Sequence, residues 1–477
     1  SSLTGIAATN WIANNVTANS GTTTINLSLG NVVKFTQTSN TTVSFANTGT
    51  SNIVSFIRPA ADYTITWPST IKWNGGSAPT LDTADGDGDA NVITLLTRDE
   101  GVTWYGWQTI AKDTPTEFGL FTWGFSGYGE LGHNDRTARS SPTQIGSEGT
   151  WTKLRGNDDS RSFGGLKSDG TLWLWGRGNE KGGFGQNSTS VNEYSSPVQV
   201  PGTNWSNFTT LGHQNQRRNF AKRTDGTMWA WGANPNGELG LNNRTEYSSP
   251  VQLPGTTWDL ISGGYYHSIG TKTDGTLWSW GGTVYGLPGR NEGIRRSSPS
   301  QIGSGTDWTS VSGGYASNLA VKTDGTLWSW GYNTNGQLGL NNRTSYSSPI
   351  QIPGTTWKNT QVSSTVSMAT KTDGTLWMWG RNTAGQLGQN NRTSYSSPVQ
   401  IPGTSWNNSS TFRYTAGKGN GFAAAIKTDG TLWAWGSGNY GNPGQNDRTN
   451  RSSPVQIPGT WNFVDSGAYS IAALKAV

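Results

Sequence analysis

The sequence predicts an all-β chain: a seven-bladed β-propeller preceded by a small β-sandwich domain. Three observations lead there. The 477 residues are only 32% hydrophobic and 13% charged, yet they include 66 Gly and 25 Trp. Long amphipathic helices draw on Leu, Ala, Glu and Lys, whereas Gly, Thr, Asn and aromatic residues favour short strands and tight turns. The string W-x-W-G recurs at 173–176, 229–232, 278–281, 328–331, 377–380 and 433–436, with a degenerate first copy at 121–124. The two ends of this array carry complementary defects, as a closed ring requires.

Residues 1–113 come first and carry no repeat. Short runs at 23–29, 32–37, 42–46, 53–57, 63–67, 71–73, 92–96 and 102–107 alternate apolar and polar side chains and are separated by turn residues. This pattern leads us to expect a compact antiparallel sandwich. Residues 112–117, with Pro115, read as a linker, so the second domain is expected over 114–477.

The array follows. The second aromatic of each copy falls at 123, 175, 231, 280, 330, 379 and 435, giving intervals of 52, 56, 49, 50, 49 and 56 residues. A full unit reads S-G-G, then K-T-D-G-T-L-W-x-W-G, N-x-x-G-Q-L-G, N-N-R-T and S-S-P-x-Q-I-P-G-T, and ends on a further Trp. That last Trp recurs at 151, 205, 258, 308, 357, 406 and 461, so twenty of the 25 Trp belong to the repeat. Asp-Gly supplies hairpin turn chemistry. The W-x-W spacing puts two indoles on one strand face. A multi-stranded unit of about 50 residues cannot bury that face alone, and radial stacking of neighbours buries it, as in propellers of ~4–8 blades. Each buried aromatic contributes on the order of 150–250 Å², which offsets the poor aliphatic content. Residues 466–475 copy the strand that elsewhere precedes K-T-D-G (312–322), and the first copy lacks that strand. The C-terminal strand 466–477 is therefore expected to complete the first blade.

Several function classes lose support. The chain has no Cys, which excludes a disulfide framework and Cys-based zinc sites. No apolar run approaches the ~20 residues of a membrane helix, and SSLTGIAATN does not read as a signal peptide. The net charge of +5 is scattered through loops, which argues against a nucleic-acid arm.

Candidate chemistry is sparse. His133, His213 and His267 occupy different repeat positions, and no nucleophile-elbow string accompanies them. The Asp of each T-D-G (Asp169, Asp225, Asp274, Asp324, Asp373, Asp429) recurs in every full unit, as a turn residue does and a catalytic acid does not. Asp82, Asp85, Asp87 and Asp89 form an acidic Gly-rich stretch, but Leu96 stands where a calcium loop of EF-hand type needs a bidentate Glu. No cofactor or metal is expected. The candidate ligand-binding residues are the loop arginines Arg136, Arg244, Arg295, Arg296, Arg343, Arg392 and Arg448, with Arg139 and Arg451 nearby. Equivalent loops share one face of a ring, so these guanidinium groups form a basic circle suited to acidic sugars or phosphates. The alternative is that each braces a carbonyl or carboxylate of its own or a neighbouring blade. Residues 179–191, 213–220 and 285–296 depart furthest from the repeat and are candidates for specificity.

W-x-W-G followed by G-Q-L-G (336–339, 385–388) at ~50-residue spacing resembles the RCC1 family (regulator of chromosome condensation-like repeats) over roughly residues 116–477. The resemblance implies an RCC1-like β-propeller of seven blades. Relatives of that kind include a chromatin-bound exchange factor, plant photoreceptors and a secreted β-lactamase inhibitor, which share protein or surface binding. Copy two departs with Gly182-Gly183-Phe184-Gly185. Copy four departs with Gly286-Leu287-Pro288-Gly289 and with Asn291-Glu292-Gly293-Ile294-Arg295-Arg296 in place of N-N-R-T. No residues match an exchange-factor face. In the first domain, Thr64-Ile65-Thr66-Trp67-Pro68, Ile71-Lys72-Trp73-Asn74-Gly75-Gly76 and Thr103-Trp104-Tyr105-Gly106-Trp107 resemble a module of bacteriophage tail-fibre and receptor-binding proteins.

Together these readings lead to the expectation of a non-enzymatic phage virion surface protein, located extracellularly on the tail or fibre. Its propeller recognises a host surface glycan or protein receptor, and residues 1–113 contact other virion tail proteins, with a homotrimer as the assembly. Nucleic acid and membrane insertion are not expected. The alternative is a secreted or cell-surface bacterial propeller of inhibitor or adhesin type.

Overall fold

The computed structural model describes every residue except 1–12, 19–20, 27–31, 38–39, 47–51, 60–64, 74–77, 79–89, 98–101, 111–117, 158–160, 179–180, 191–192, 212–216, 408–414, 418–420 and 477. The chain divides into two compact units, Ser1–Thr116 and Glu117–Val477. The described secondary structure is strands throughout, apart from one short 3₁₀ turn at Val284–Gly286.

In the first unit, a six-stranded sheet runs in the order Ala13–Ala18, Val32–Gln37, Asn52–Pro59, Ala90–Thr97, Trp104–Ile110, Ile71–Trp73. A three-stranded sheet holds Gly21–Asn26, Thr41–Ala46 and Ile65–Thr66. Ile25 and Val43 from the small sheet pack with Ile71, Leu95 and Trp104 from the large one. The pairing corrects the antiparallel expectation: consecutive strands alternate between sheets from Ala13–Ala18 to Ile71–Trp73, and most pairs are parallel. The antiparallel pairs are those that Ala90–Thr97 makes with Asn52–Pro59 and with Trp104–Ile110. Alternation has period two in both kinds of sheet, so it reports which face a residue takes and not which strand it pairs with.

In the second unit, five four-stranded antiparallel sheets each follow chain order; one holds Trp205–Leu211, Arg218–Arg223, Met228–Gly232 and Tyr247–Gln252. An eight-stranded sheet contains two further sets of four, joined by the single pairing of Phe118 with Trp151. One of these sets is built from both ends of the unit: Phe463–Ser466 and Ser470–Ala476 continue into Phe118–Gly124 and Arg139–Ile145. Ser470–Ala476 pairs with Phe118–Gly124 along its whole length, from Phe118 with Ala476 to Gly124 with Ser470. The C-terminal contribution is thus two strands, where sequence comparison singled out one. Comparison with the S-G-G strand alone overlooks the preceding half of the same hairpin, and Trp461 leads into it.

Each T-D-G, and the equivalent Ser168-Asp169-Gly170, is a hairpin turn with a built-in side-chain relay. Asp324 Oδ1 accepts the Thr326 backbone N–H (2.9 Å) and hydroxyl (2.7 Å), and the Thr326 oxygen accepts Trp328 Nε1–H (2.9 Å). The same relay recurs from Asp169, Asp225, Asp274, Asp373 and Asp429. The preceding Lys lies over two indoles, as Lys322 does over Trp308 (4.8 Å) and Trp328 (5.2 Å).

The second Trp of W-x-W sits at a β-bulge in the pairing with the outer strand and turns toward the neighbouring sheet. Its Nε1–H donates to a backbone carbonyl in the preceding repeat, as from Trp379 to Gln337 (2.9 Å). Trp123 makes the same bond to Asn442 (2.9 Å), linking the first repeat to the last.

Candidate binding face

Two connections of a repeat sheet meet at one end, as in the sheet of Trp308–Gly313, Ser317–Lys322, Leu327–Gly331 and Tyr346–Ile352. The long loop between the third and fourth strands carries N-N-R-T or its replacement, and the hairpin between the first and second carries S-G-G-Tyr at 262–265 and 312–315. The T-D-G turns lie at the opposite end, as strand alternation requires.

The long loops are fixed by a recurrent clasp. Asn134, Asn187, Asn242, Asn291, Asn341, Asn390 and Asn446 all have positive φ, between 54° and 60°. Each donates its backbone N–H to a Ser carbonyl at the start of the next outer strand, at 2.7–3.0 Å. Asn446 donates to Ser140, so the last repeat grips the first. A glycine beside each clasp permits the approach: a Cβ on Gly336 would lie 2.7 Å from the Ser396 Cα.

The predicted arginines divide into two groups. Arg136 pairs with Glu193 of the next repeat. Arg296 pairs with Glu292 (3.1 Å), which also accepts from Arg290 (2.6 Å). Arg139 and Arg451 pair with Asp135 (2.8 Å) and Asp447 (2.6 Å). The arginine side chains hold their partners' acid forms down: Glu292 and Asp135 fall to about 2. Arg244, Arg295, Arg343, Arg392 and Arg448 are exposed and have no ion-pair or hydrogen-bond partner among the described residues. The sequence pattern did not separate these groups: an Asp or Glu in place of the second Asn of N-N-R-T captures Arg139, Arg296 and Arg451, whereas Arg136 finds its carboxylate in the next repeat.

The histidines are not brought together. His133 Nε2 lies 3.0 Å from the Thr122 hydroxyl, and burial lowers its pKa, aided by Arg139. His267 is fully buried, 2.6 Å from Asn318 Oδ1, with its pKa lowered to about 4 chiefly by burial. His213 and the stretch Asp82, Asp85, Asp87 and Asp89 lie outside the described residues. Among the described residues, no three His, Asp or Glu side chains gather as a metal site would need.

Other features of the face were not singled out from sequence. Tyr265 stacks on Tyr315 (5.3 Å) and touches Tyr266 (4.1 Å) beside a cavity of ≈ 220 Å³ lined by the first strands of the repeat sheets. Arg161 lies over Phe125, Tyr128 and Tyr469, and Arg177 over Tyr128. Beneath them Glu130 is buried, and desolvation raises its pKa to about 7 against a backbone N–H from Tyr128. Arg217 and Arg218, in the 213–220 segment that the sequence did single out, are buried, and Arg218 caps the carbonyls of Tyr265, Gly264 and His267. Tyr265 and Tyr315 repeat at one position, after S-G-G, and Glu130 shares its position with Glu238, so repetition itself hid them.

This geometry is that of a repeat array. The Regulator of chromosome condensation (RCC1) repeat matches residues 119–155, 225–270, 324–367, 373–420 and 429–473, and a second form of it matches 308–337. The chain carries RCC1 repeats and folds them into an RCC1-like β-propeller.

Among solved structures, Prp20p from Saccharomyces cerevisiae superimposes with a TM-score of 0.64 at 18% identity, over 76% of this chain and 92% of that one. Human WBSCR16 does so at 0.63 and 18%, over 75% and 98%. At that identity the likeness shows the fold alone. The RCC1 domain-containing protein RUG3, mitochondrial, of Arabidopsis thaliana is 28% identical over 166 residues, 31% of this chain and 35% of that protein. The ultraviolet-B receptor UVR8 of the same plant is 28% identical over 150 residues, 31% of this chain and 33% of the receptor. The chain thus spans about a third of the length of these curated relatives.

Proposed function

We propose that this chain is a non-enzymatic recognition protein of virion tail-fibre type. Glu117–Val477 is read as a closed seven-bladed ring whose clasped-loop face meets a host surface glycan or protein receptor. Residues 1–113, read as a small sandwich, attach the ring to other tail proteins. The observation that carries the reading is the set of exposed, unpartnered arginines Arg244, Arg295, Arg343, Arg392 and Arg448 on loops held rigid by the asparagine clasps. Rigid loops lose little entropy on binding, and planar guanidinium groups pair bidentately with carboxylates and phosphates. Ring closure is supported by the Asn446–Ser140 clasp, the Trp123–Asn442 bond and the shared first sheet. Attachment through residues 1–113 rests on the tail-fibre resemblance read from the sequence.

The test is binding of the full chain to bacterial cells and to immobilised acidic polysaccharide at rising salt. Arg244→Ala, Arg343→Ala and Arg392→Ala combined should weaken attachment and flatten its salt dependence while leaving the unfolding midpoint unchanged. Undiminished attachment by the folded variant refutes the reading. Shortening of the polysaccharide by the wild-type chain would refute the non-enzymatic part.

A further inference from the structure

The fourth repeat breaks the pattern in a way that changes its surface chemistry. Its long loop aligns residue for residue with that of the fifth repeat through W-G and the clasping Asn (Asn291, Asn341). Val284, Tyr285 and Ile294 then stand where the fifth repeat has Thr334, Asn335 and Thr344. Within Glu117–Val477, these are the large apolar side chains left exposed among the described residues, at 39%, 49% and 56%. Polar solvent-facing positions have become apolar at three points of one loop, where each exposed apolar group costs solubility unless something covers it.

The loop is held in shape. Tyr285 adopts φ 57°, rare for an aromatic residue, and its ring packs on Tyr332 at 4.5 Å. Glu292 is gripped by Arg290 and Arg296, so the acidic charge of the loop is neutralised within it. Arg295 remains exposed and unpaired. The clasps seat this loop between two others: Asn242 bonds to Ser297 and Asn291 to Ser347, which brings the Arg244 and Arg343 loops to either side. The loop thus carries three exposed apolar side chains and Arg295, and the clasped loops beside it carry Arg244 and Arg343.

We infer that the fourth-repeat loop is a protein-docking site that inserts Val284, Tyr285 and Ile294 into an apolar patch ringed by carboxylates on a partner protein. Exposed Tyr and Arg around an apolar centre match the composition of interface hot spots. The arginines on both sides and the neutralised Glu292 require the complementary rim to be acidic. A glycan offers hydroxyl groups to Arg295 and Tyr285 but gains little from Val284 and Ile294. A second copy of the chain would bring arginines against arginines. The inference deepens the reading of this face as a recognition surface and rests on it.

The probe is a library of random peptides selected on the immobilised full chain. Selected peptides should carry an aromatic or aliphatic residue flanked by Asp or Glu. Their affinity should fall ~30-fold or more for Val284→Thr, Tyr285→Asn and Ile294→Thr combined. That variant installs the fifth repeat's residues, so unfolding in urea reports whether the fold is kept. Arg295→Glu, at an exposed position, should lower the affinity separately and more steeply at low salt.

Peptides that bind the triple variant as tightly as wild type, or that lack acidic residues, overturn the inference. So does a concentration-dependent dimer lost in that variant, which assigns the face to a second copy. If the loop variants bind normally while the Arg244, Arg343 and Arg392 variant detaches from cells, the loop inference fails and the face stands. The reverse result sinks the arginine circle as the attachment site and leaves the recognition role of the face to the loop.

Discussion

Leu474 tests whether the C-terminal strand is part of the core or an appended tail. It is fully buried, stands opposite Leu120 in the sheet register, and packs with Trp151, Leu154, Phe163 and Trp175. That cluster spans the first two repeat sheets, so Leu474 stabilises a junction as well as its own strand. Leu474→Ala removes its buried side chain beyond Cβ from a site walled by large rings that cannot collapse inward. Such truncations cost about 2–5 kcal/mol, and the confined wall places this one in the upper half. Against a total of about 5–15 kcal/mol for a typical domain, the loss is readily measured. The assay is urea unfolding of the full chain followed by tryptophan fluorescence, with Leu319→Ala in an internal sheet as the reference. The midpoint should drop comparably in both with the slope unchanged. A change within about 0.5 kcal/mol for Leu474→Ala, as at a surface site, refutes the reasoning.

Other outcomes follow from the same contacts. Gly336→Ala forces a Cβ to 2.7 Å from the Ser396 Cα at φ +78° and should cost about 1–3 kcal/mol by urea midpoint. Glu130→Gln places at that position the residue found at Gln337 and Gln386. The Glu130 carboxyl is raised from 4.5 to about 7, so its stability is fully present below pH 4.5 and is lost as pH rises through about 7. The variant should therefore gain on wild type by about 3 kcal/mol between those values, read as unfolding midpoints at several pH values. Thr326→Val breaks one relay at a cost of about 1 kcal/mol at neutral pH. The Thr326 hydroxyl and N–H hold the Asp324 carboxyl low, so the cost should shrink as acid protonates it, and a pH-independent difference would contradict this. Light scattering should find the full chain a trimer and residues 117–477 a monomer if assembly is of fibre type.

The repeat was legible because its residues perform the same task in every copy. Trp123, Trp175 and Trp231 each bridge to the preceding repeat, and each T-D-G closes the same relay. Positions that are identical for physical reasons are visible as identity. Strand pairing in the first unit was not legible, because Gly21–Asn26 alternates in the same way whether its partner runs parallel or antiparallel. The fate of the arginines was half legible: Arg448 and Arg451 lie three residues apart, yet only Arg451 reaches Asp447. Glu130 was hidden because Glu and Gln have the same shape, and only its burial distinguishes a titrating group from a neutral one.

The sheet that joins Phe118–Gly124 to Ser470–Ala476 constrains the order of events during synthesis. A ribosome delivers the first of these strands some 350 residues before the second. Throughout that interval Phe118–Gly124 presents an open hydrogen-bonding edge, and nascent chains on one message could pair through it with each other. Internal sheets assemble from contiguous chain and can form as they emerge, whereas this one must wait for a loop spanning the whole unit to close. A permuted chain cut between two internal repeats would remove that wait without changing a contact, and should fold faster and yield less aggregate from the same set of side chains.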